Sequence, residues 1–240
     1  MRGLVLLGAA LALAGCAAAT AEAPRTEAIE RVVRDYLVKH PEVVVEALRA
    51  MEERQRAAEH EQARAAIRAR QDDLLRDPAS PVGGNPQGDV TVVEFFDYNC
   101  PHCRRAAETV ARLTEEDTSL RVVYKELPIL GPDSVLATRV ALAAHAQGKY
   151  LELHRALMAT TEVLTGPAVL EIARGLGLDA ARLEAEMGSA EITAAIEKNR
   201  ALAQALGVSG TPAFVVGTDL VPGAIGLEAF RETIGRARQR

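Results

Sequence analysis

Cys100-Pro101-His102-Cys103 is where this chain could do chemistry, and the chemistry would be thiol–disulfide exchange. Strand-forming residues, Val90 to Phe96, lead into the motif, and a helix-compatible stretch from Arg104 onward leads out. Cys100 is thus predicted at the amino end of a helix, with Pro101 in the first turn, where its missing N–H costs nothing. Unpaired backbone N–H groups and the helix dipole favour an anion there, and thiols so placed ionise more readily. Cys103 follows one turn later on the same face, close enough to bridge. His102 is expected to add a donor or a positive charge near the Cys100 sulfur. A zinc site would need two more ligands at similar spacing, and the only other cysteine is Cys16. A purely structural disulfide has no need of a helix amino end flanked by Pro and His. No metal site is expected.

The elements that must position this pair alternate between strand and helix. Strand Val90–Phe96 and helix Cys100–Glu116 are followed by strand Leu120–Leu127. A helical block occupies about 131–206. Strand Ala213–Val216, a short partner around Leu220–Val221 and a last helix Leu227–Arg238 close the chain. This order predicts an α/β fold of thioredoxin type, carrying an α-helical insertion and preceded by an N-terminal helical stalk. Before residue 89 the chain is predicted to run as helical residues 26–76 and then a Pro/Gly-rich linker at 77–88. Glu27–Lys39 is amphipathic, and His40-Pro41 breaks it. From Glu42 to about Leu75 a long helix is expected, with Val44, Leu48, Met51, Ala58, Ala65 and Ala69 near a 3.5-residue repeat. That seam reads either as a solvated helix or as an oligomerisation stalk.

With 240 residues and 48% hydrophobic content, the chain can bury one good core plus additional helix. The net charge of −5 and the lack of a strongly basic patch argue against a nucleic-acid partner. Residues 1–16 read as an export signal. Arg2 supplies the basic region, Gly3–Leu13 is apolar but too short to span a bilayer, and Leu13-Ala14-Gly15-Cys16 resembles a bacterial lipobox. Cys16 is therefore expected to carry a lipid at the extracytoplasmic, periplasmic side of a membrane, with 17–25 as tether. The alternative is ordinary cleavage within Ala17–Ala23.

Two further features stand out. Thr211-Pro212 places a proline just before a strand, where a central position is otherwise unfavourable. Glu94 puts a carboxylate inside a short apolar strand, which is expensive unless it is paired or protonated. Lys125 on the next strand is its expected partner, and Glu94 with Lys125 is expected to relay the Cys103 proton. A plain ion pair, or an edge position facing solvent, is the alternative. His145 and His154 read as solvated helix residues. Asp97, Tyr98 and Asn99 lie beside the active-site helix and are expected to tune it, with Asn99 a candidate cap.

Together, Val93-Glu94-Phe95-Phe96, the CPHC motif, Lys125-Glu126-Leu127-Pro128 and Gly210-Thr211-Pro212-Ala213-Phe214 resemble the DsbA family of exported thiol–disulfide oxidoreductases, over about residues 88–238. Tyr36 to Glu42 resembles the N-terminal region of ScsC-like relatives, which oligomerise. The resemblance implies that Cys100 is the attacking, partly exposed nucleophile and Cys103 the buried resolving thiol. It also implies a cis Pro212 in a loop that, with Thr211, binds a substrate peptide. No cofactor is implied beyond the redox-active disulfide of Cys100 and Cys103. The implied partners are unfolded or partly folded exported proteins, a membrane redox partner and a second copy through the N-terminal helices. The Pro-His dipeptide favours an oxidase; the stalk favours an oligomeric isomerase or reductase. A reduced pair holding Cu(I) is a further alternative.

Overall fold

The computed structural model describes residues 23–239, so the signal segment and Cys16 lie outside the described residues. The chain divides into two units, 1–56 and 57–240. In the first, helix α1 (Ala23–Lys39) ends where Pro41 follows, and α2 (Pro41–Ala69) begins with that proline, whose fixed φ suits a first helical turn. Ile29, Val32, Val33 and Tyr36 of α1 and Val44, Val45, Leu48 and Met51 of α2 are exposed. No helix among the described residues is long and apolar enough to cross a membrane.

The second unit is built on a five-stranded sheet in the order β1-β3-β2-β4-β5. Its strands are β1 (Val82–Gly84), β2 (Val90–Phe96), β3 (Leu120–Glu126), β4 (Ala213–Val216) and β5 (Asp219–Pro222). Only β2 and β3 run parallel; they are joined by helix α4 (Pro101–Glu116). The other pairings are antiparallel. β2 is central and covered on both faces, which is why it reads as a nearly unbroken apolar run instead of an alternating one.

Each face of the sheet carries its own core. Val92 and Phe96 of β2 join Val122 and Tyr124 of β3, Ala106, Val110 and Leu113 of α4, and Phe230 and Ile234 of α10 (Leu227–Arg238). The inserted helices α5 (Pro132–Ala146), α6 (Tyr150–Met158), α7 (Gly166–Gly175) and α8 (Ala180–Met187) extend that side. Val93, Phe95, Val123 and Val215 point the other way, onto Ile67 of α2, Leu74 of α3 (Gln71–Leu75), Leu202 of α9 (Ala190–Ala205) and Leu206 just past its end.

Two expectations are corrected here. The long helix expected to about Leu75 stops at Ala69, and α3 resumes after Arg70. Residues 77–88, expected as a Pro/Gly-rich linker, include β1, which pairs Val82 with Val123. Gly84 makes that strand end possible: its φ is +65°, and a Cβ there would lie 2.4 Å from the Leu120 carbonyl oxygen.

Candidate active site

α4 starts at Pro101, with Cys100 as its N-cap residue in an extended conformation. No side chain caps this end, so the candidate capping role of Asn99 is not realised. The Asn99 amide instead brackets the backbone of Leu164, donating to its carbonyl at 3.1 Å and accepting from its N–H at 2.8 Å. Cys100 and Cys103 are both free thiols. Cys103 is fully buried, and burial pushes its thiol well above the ordinary range. Cys100, expected to be partly exposed, is only 5% exposed. Its Sγ donates to the backbone carbonyl of Thr211 at 3.2 Å. The Thr211–Pro212 peptide bond is cis. The loop before β4 thus closes over the amino end of α4, and the two segments meet at the Cys100 sulfur.

The family model of the DSBA-like thioredoxin domain matches residues 91–235. The chain belongs to this family. The N-terminal domain of the copper resistance protein ScsC matches residues 26–58. A thioredoxin-like oxidoreductase from Silicibacter pomeroyi is 51% identical, with 70% of this chain and 98% of that chain covered and a TM-score of 0.69. BcfH of Salmonella enterica Typhimurium is 32% identical over 91% of this chain and 99% of its own, with a TM-score of 0.78. The Na(+)/H(+) antiporter NhaA 3 of Salinispora tropica is 32% identical over 155 residues, 64% of this chain. That match takes in 24% of the antiporter, so the chain spans about a quarter of the length of this curated relative.

Within this DsbA-like domain, Glu94 and Lys125 do not pair. β2 and β3 are aligned so that Glu94 lies beside Tyr124 and Lys125 beside Phe95. Alternation along each strand sends Glu94 into the core shared with α4, while Lys125 enters the opposite core. There the Lys125 ammonium donates to the Asp73 carbonyl and the Ser80 hydroxyl, each at 2.6 Å, and meets Asp77 at 3.4 Å. Glu94 is neither at an edge nor solvated. Its two carboxyl oxygens are buried and accept no hydrogen bond. Burial, and then the nearby Glu126 charge, raise its pKa to about 8, so it is a neutral acid at pH 7.

Glu126, named in the sequence only as part of a motif and without a role, sits two residues beyond Tyr124 on the Glu94 side of the sheet. One carboxyl oxygen accepts from Tyr98 at 3.1 Å and Tyr150 at 2.8 Å; the other accepts from Thr138 at 2.9 Å. Burial raises its pKa to about 8, against the pull of these hydroxyls. His154 is not solvated as expected. It is buried, its Nδ1 lies 3.2 Å from the Tyr98 hydroxyl, and burial lowers its pKa to about 3. The signal for both was the parity of β3 and the 3.6-residue spacing of Tyr150 and His154, which puts them on one helix face.

Asp97 binds the approach to Cys100 to the start of the insert. Its carboxylate accepts from the N–H groups of Asn99, Ile129 and Leu130 at 2.8, 2.8 and 3.0 Å, and from the Ser134 hydroxyl at 2.7 Å. His102, expected beside the Cys100 sulfur, is exposed, and Arg105 donates to its Nδ1 at 2.5 Å. A guanidinium only donates, so this ring nitrogen is the acceptor in that hydrogen bond.

Proposed function

We propose that this protein is an exported protein thiol–disulfide oxidoreductase acting through Cys100 and Cys103, in the oxidising direction. The observation that carries the reading is the placement of Cys100 as the uncapped N-cap of α4, against Thr211 O and with Cys103 buried behind it. A substrate thiolate attacks the Cys100 sulfur of the disulfide form; the S–S bond breaks and its electron pair leaves on Cys103. Burial favours the protonated Cys103, and in this reading Glu94, a raised-pKa acid on the same side of the sheet, supplies that proton without Lys125. A second substrate thiolate then attacks the substrate sulfur of the mixed disulfide, and Cys100 leaves as thiolate. The net change is one substrate dithiol oxidised and one enzyme disulfide reduced. Pro101 fits the first turn of α4, and Thr211 and Pro212 offer the substrate strand a backbone edge.

The substrates are unfolded or partly folded exported proteins, and a membrane redox partner restores the disulfide. The Leu13-Ala14-Gly15-Cys16 motif supports a lipid on Cys16 and a periplasmic location. Acid quenching and mass tagging of thiols in cells test the direction. A mostly oxidised pair supports an oxidase; a mostly reduced pair supports the second reading.

That second reading is an oligomeric isomerase or reductase. It is favoured by the exposed apolar residues of α1 and α2 in the first unit, together with the ScsC N-terminal match over 26–58. In that form several Cys100 sites would act on one substrate.

A further inference from the structure

Arg104 and Arg105 follow Cys103 on α4, yet they behave differently. Arg105 is exposed, whereas Arg104 is half-buried. Helix side chains lean toward the amino end, so a residue at this position lies over the first turn. Arg104 does so: its Nε donates to the Tyr98 carbonyl at 3.1 Å and its Nη2 to Asn99 Oδ1 at 3.3 Å. Those two residues immediately precede Cys100. Asn99 is fixed in turn by its two hydrogen bonds to Leu164. The guanidinium is therefore held over the turn that carries the nucleophile.

Its charge has a use there. Asp97 is the acidic side chain of this region, but four neutral donors already occupy its oxygens. Arg104 feels burial first, which disfavours its charge, and then attraction from the Cys100 sulfur and from Asp97, which favours it. His102, the residue between the cysteines, is exposed and accepts from Arg105.

We infer that Arg104 is the residue that supplies positive charge to Cys100 and so sets how oxidising the pair is. This rests on the proposed exchange reaction. When the mixed disulfide breaks, the electron pair arrives on Cys100 as a thiolate, at the turn over which this guanidinium is held. In the reverse direction the same thiolate is the attacking group. Stabilising it stabilises the dithiol form, which makes the disulfide the stronger oxidant. Asn99 positions Arg104.

The test is the equilibrium of the Cys100/Cys103 pair against reduced and oxidised glutathione at pH 7, with the purified protein, Arg104→Met, Arg104→Gln and Arg104→Lys. Loss of the charge is expected to shift the equilibrium about tenfold toward the disulfide, close to 30 mV for a two-electron couple. Met and Gln should shift it alike, and Lys, which keeps the charge but not the fork, by less. An equilibrium constant within twofold of wild type in whichever neutral variant folds overturns the inference. So does a Lys variant as shifted as the neutral ones. A wild-type pair that never equilibrates with glutathione overturns the exchange reading itself, which separates the two failures.

Discussion

The Cys100 Sγ and the Thr211 carbonyl oxygen are 3.2 Å apart, although 111 residues separate them in sequence. One belongs to the amino end of α4 and the other to the loop entering β4. The Cys100 sulfur therefore faces the backbone of the loop before β4, while Cys103 is fully buried.

This division of labour predicts different defects for the two cysteines. Cys100→Ser should abolish disulfide exchange with reduced protein substrates. Cys103→Ala should instead accumulate mixed disulfides on Cys100, seen as covalent adducts on non-reducing gels and by mass spectrometry. Adducts on Cys103 in a Cys100→Ala variant, at comparable yield, would contradict the assignment.

The buried carboxyls predict how stability depends on pH. Glu94 and Glu126 have folded-state pKa values raised from 4.5 to about 8. Each keeps its proton in the folded protein while losing it in the unfolded chain. Stability should be full below about 4.5 and fall as pH rises to about 8. His154, lowered from 6.5 to about 3, acts in the opposite sense and costs stability as pH falls below 6.5. Between pH 6.5 and 8 the carboxyls dominate this balance. Glu94→Gln should reduce the slope there by up to about 1.4 kcal/mol per pH unit. Urea unfolding at several pH values measures it, and parallel profiles for the two proteins would rule the assignment out.

Glu94→Gln also tests the proton route. The variant keeps the shape and loses the titrating proton, so exchange should slow several-fold, with an altered pH profile. An unchanged rate and profile would remove Glu94 from the reaction.

Lys125 should matter to folding and not to exchange. Lys125→Met strands the Asp73 carbonyl, the Ser80 hydroxyl and part of the Asp77 interaction. A loss of about 2–4 kcal/mol is expected, read as a lower urea midpoint, with the exchange rate of the folded protein within twofold of wild type. A large loss of exchange without a loss of stability would return Lys125 to the active site.

The apolar residues of α1 predict self-association. Val32→Glu with Tyr36→Glu should lower the mass seen in sedimentation at micromolar concentration. A wild-type protein that sediments as a monomer at all concentrations would show that these side chains do not serve this purpose.

Much of the site was legible because it is local. CPHC after an apolar strand fixes the N-cap position of Cys100, and Thr211-Pro212 before β4 fixes the facing loop. Lys125 was misplaced because a sequence gives the spacing along β3 but not its register against β2. With Glu94 beside Tyr124, the parity of both strands separates Glu94 from Lys125 by the thickness of the sheet. Glu126, His154 and Arg104 were missed for a related reason. Their partners, Tyr98, Tyr150 and Asn99, come into reach only when α6 and the approach to Cys100 are assembled. β1 was hidden among prolines and glycines, because three residues paired on one side need almost no strand-forming sequence.

Ile67 and Leu74, each 1% exposed, complete the core behind Val93 and Phe95, upstream of the first residue matched by the DSBA-like family. A fragment trimmed to begin at residue 91 would therefore lose one wall of its own interior, as well as β1 and the acceptors of Lys125. The smallest piece that can be expressed as a stable enzyme starts before Ile67, and a protease removing the helices ahead of it should stall there, leaving a resistant product that still contains α3.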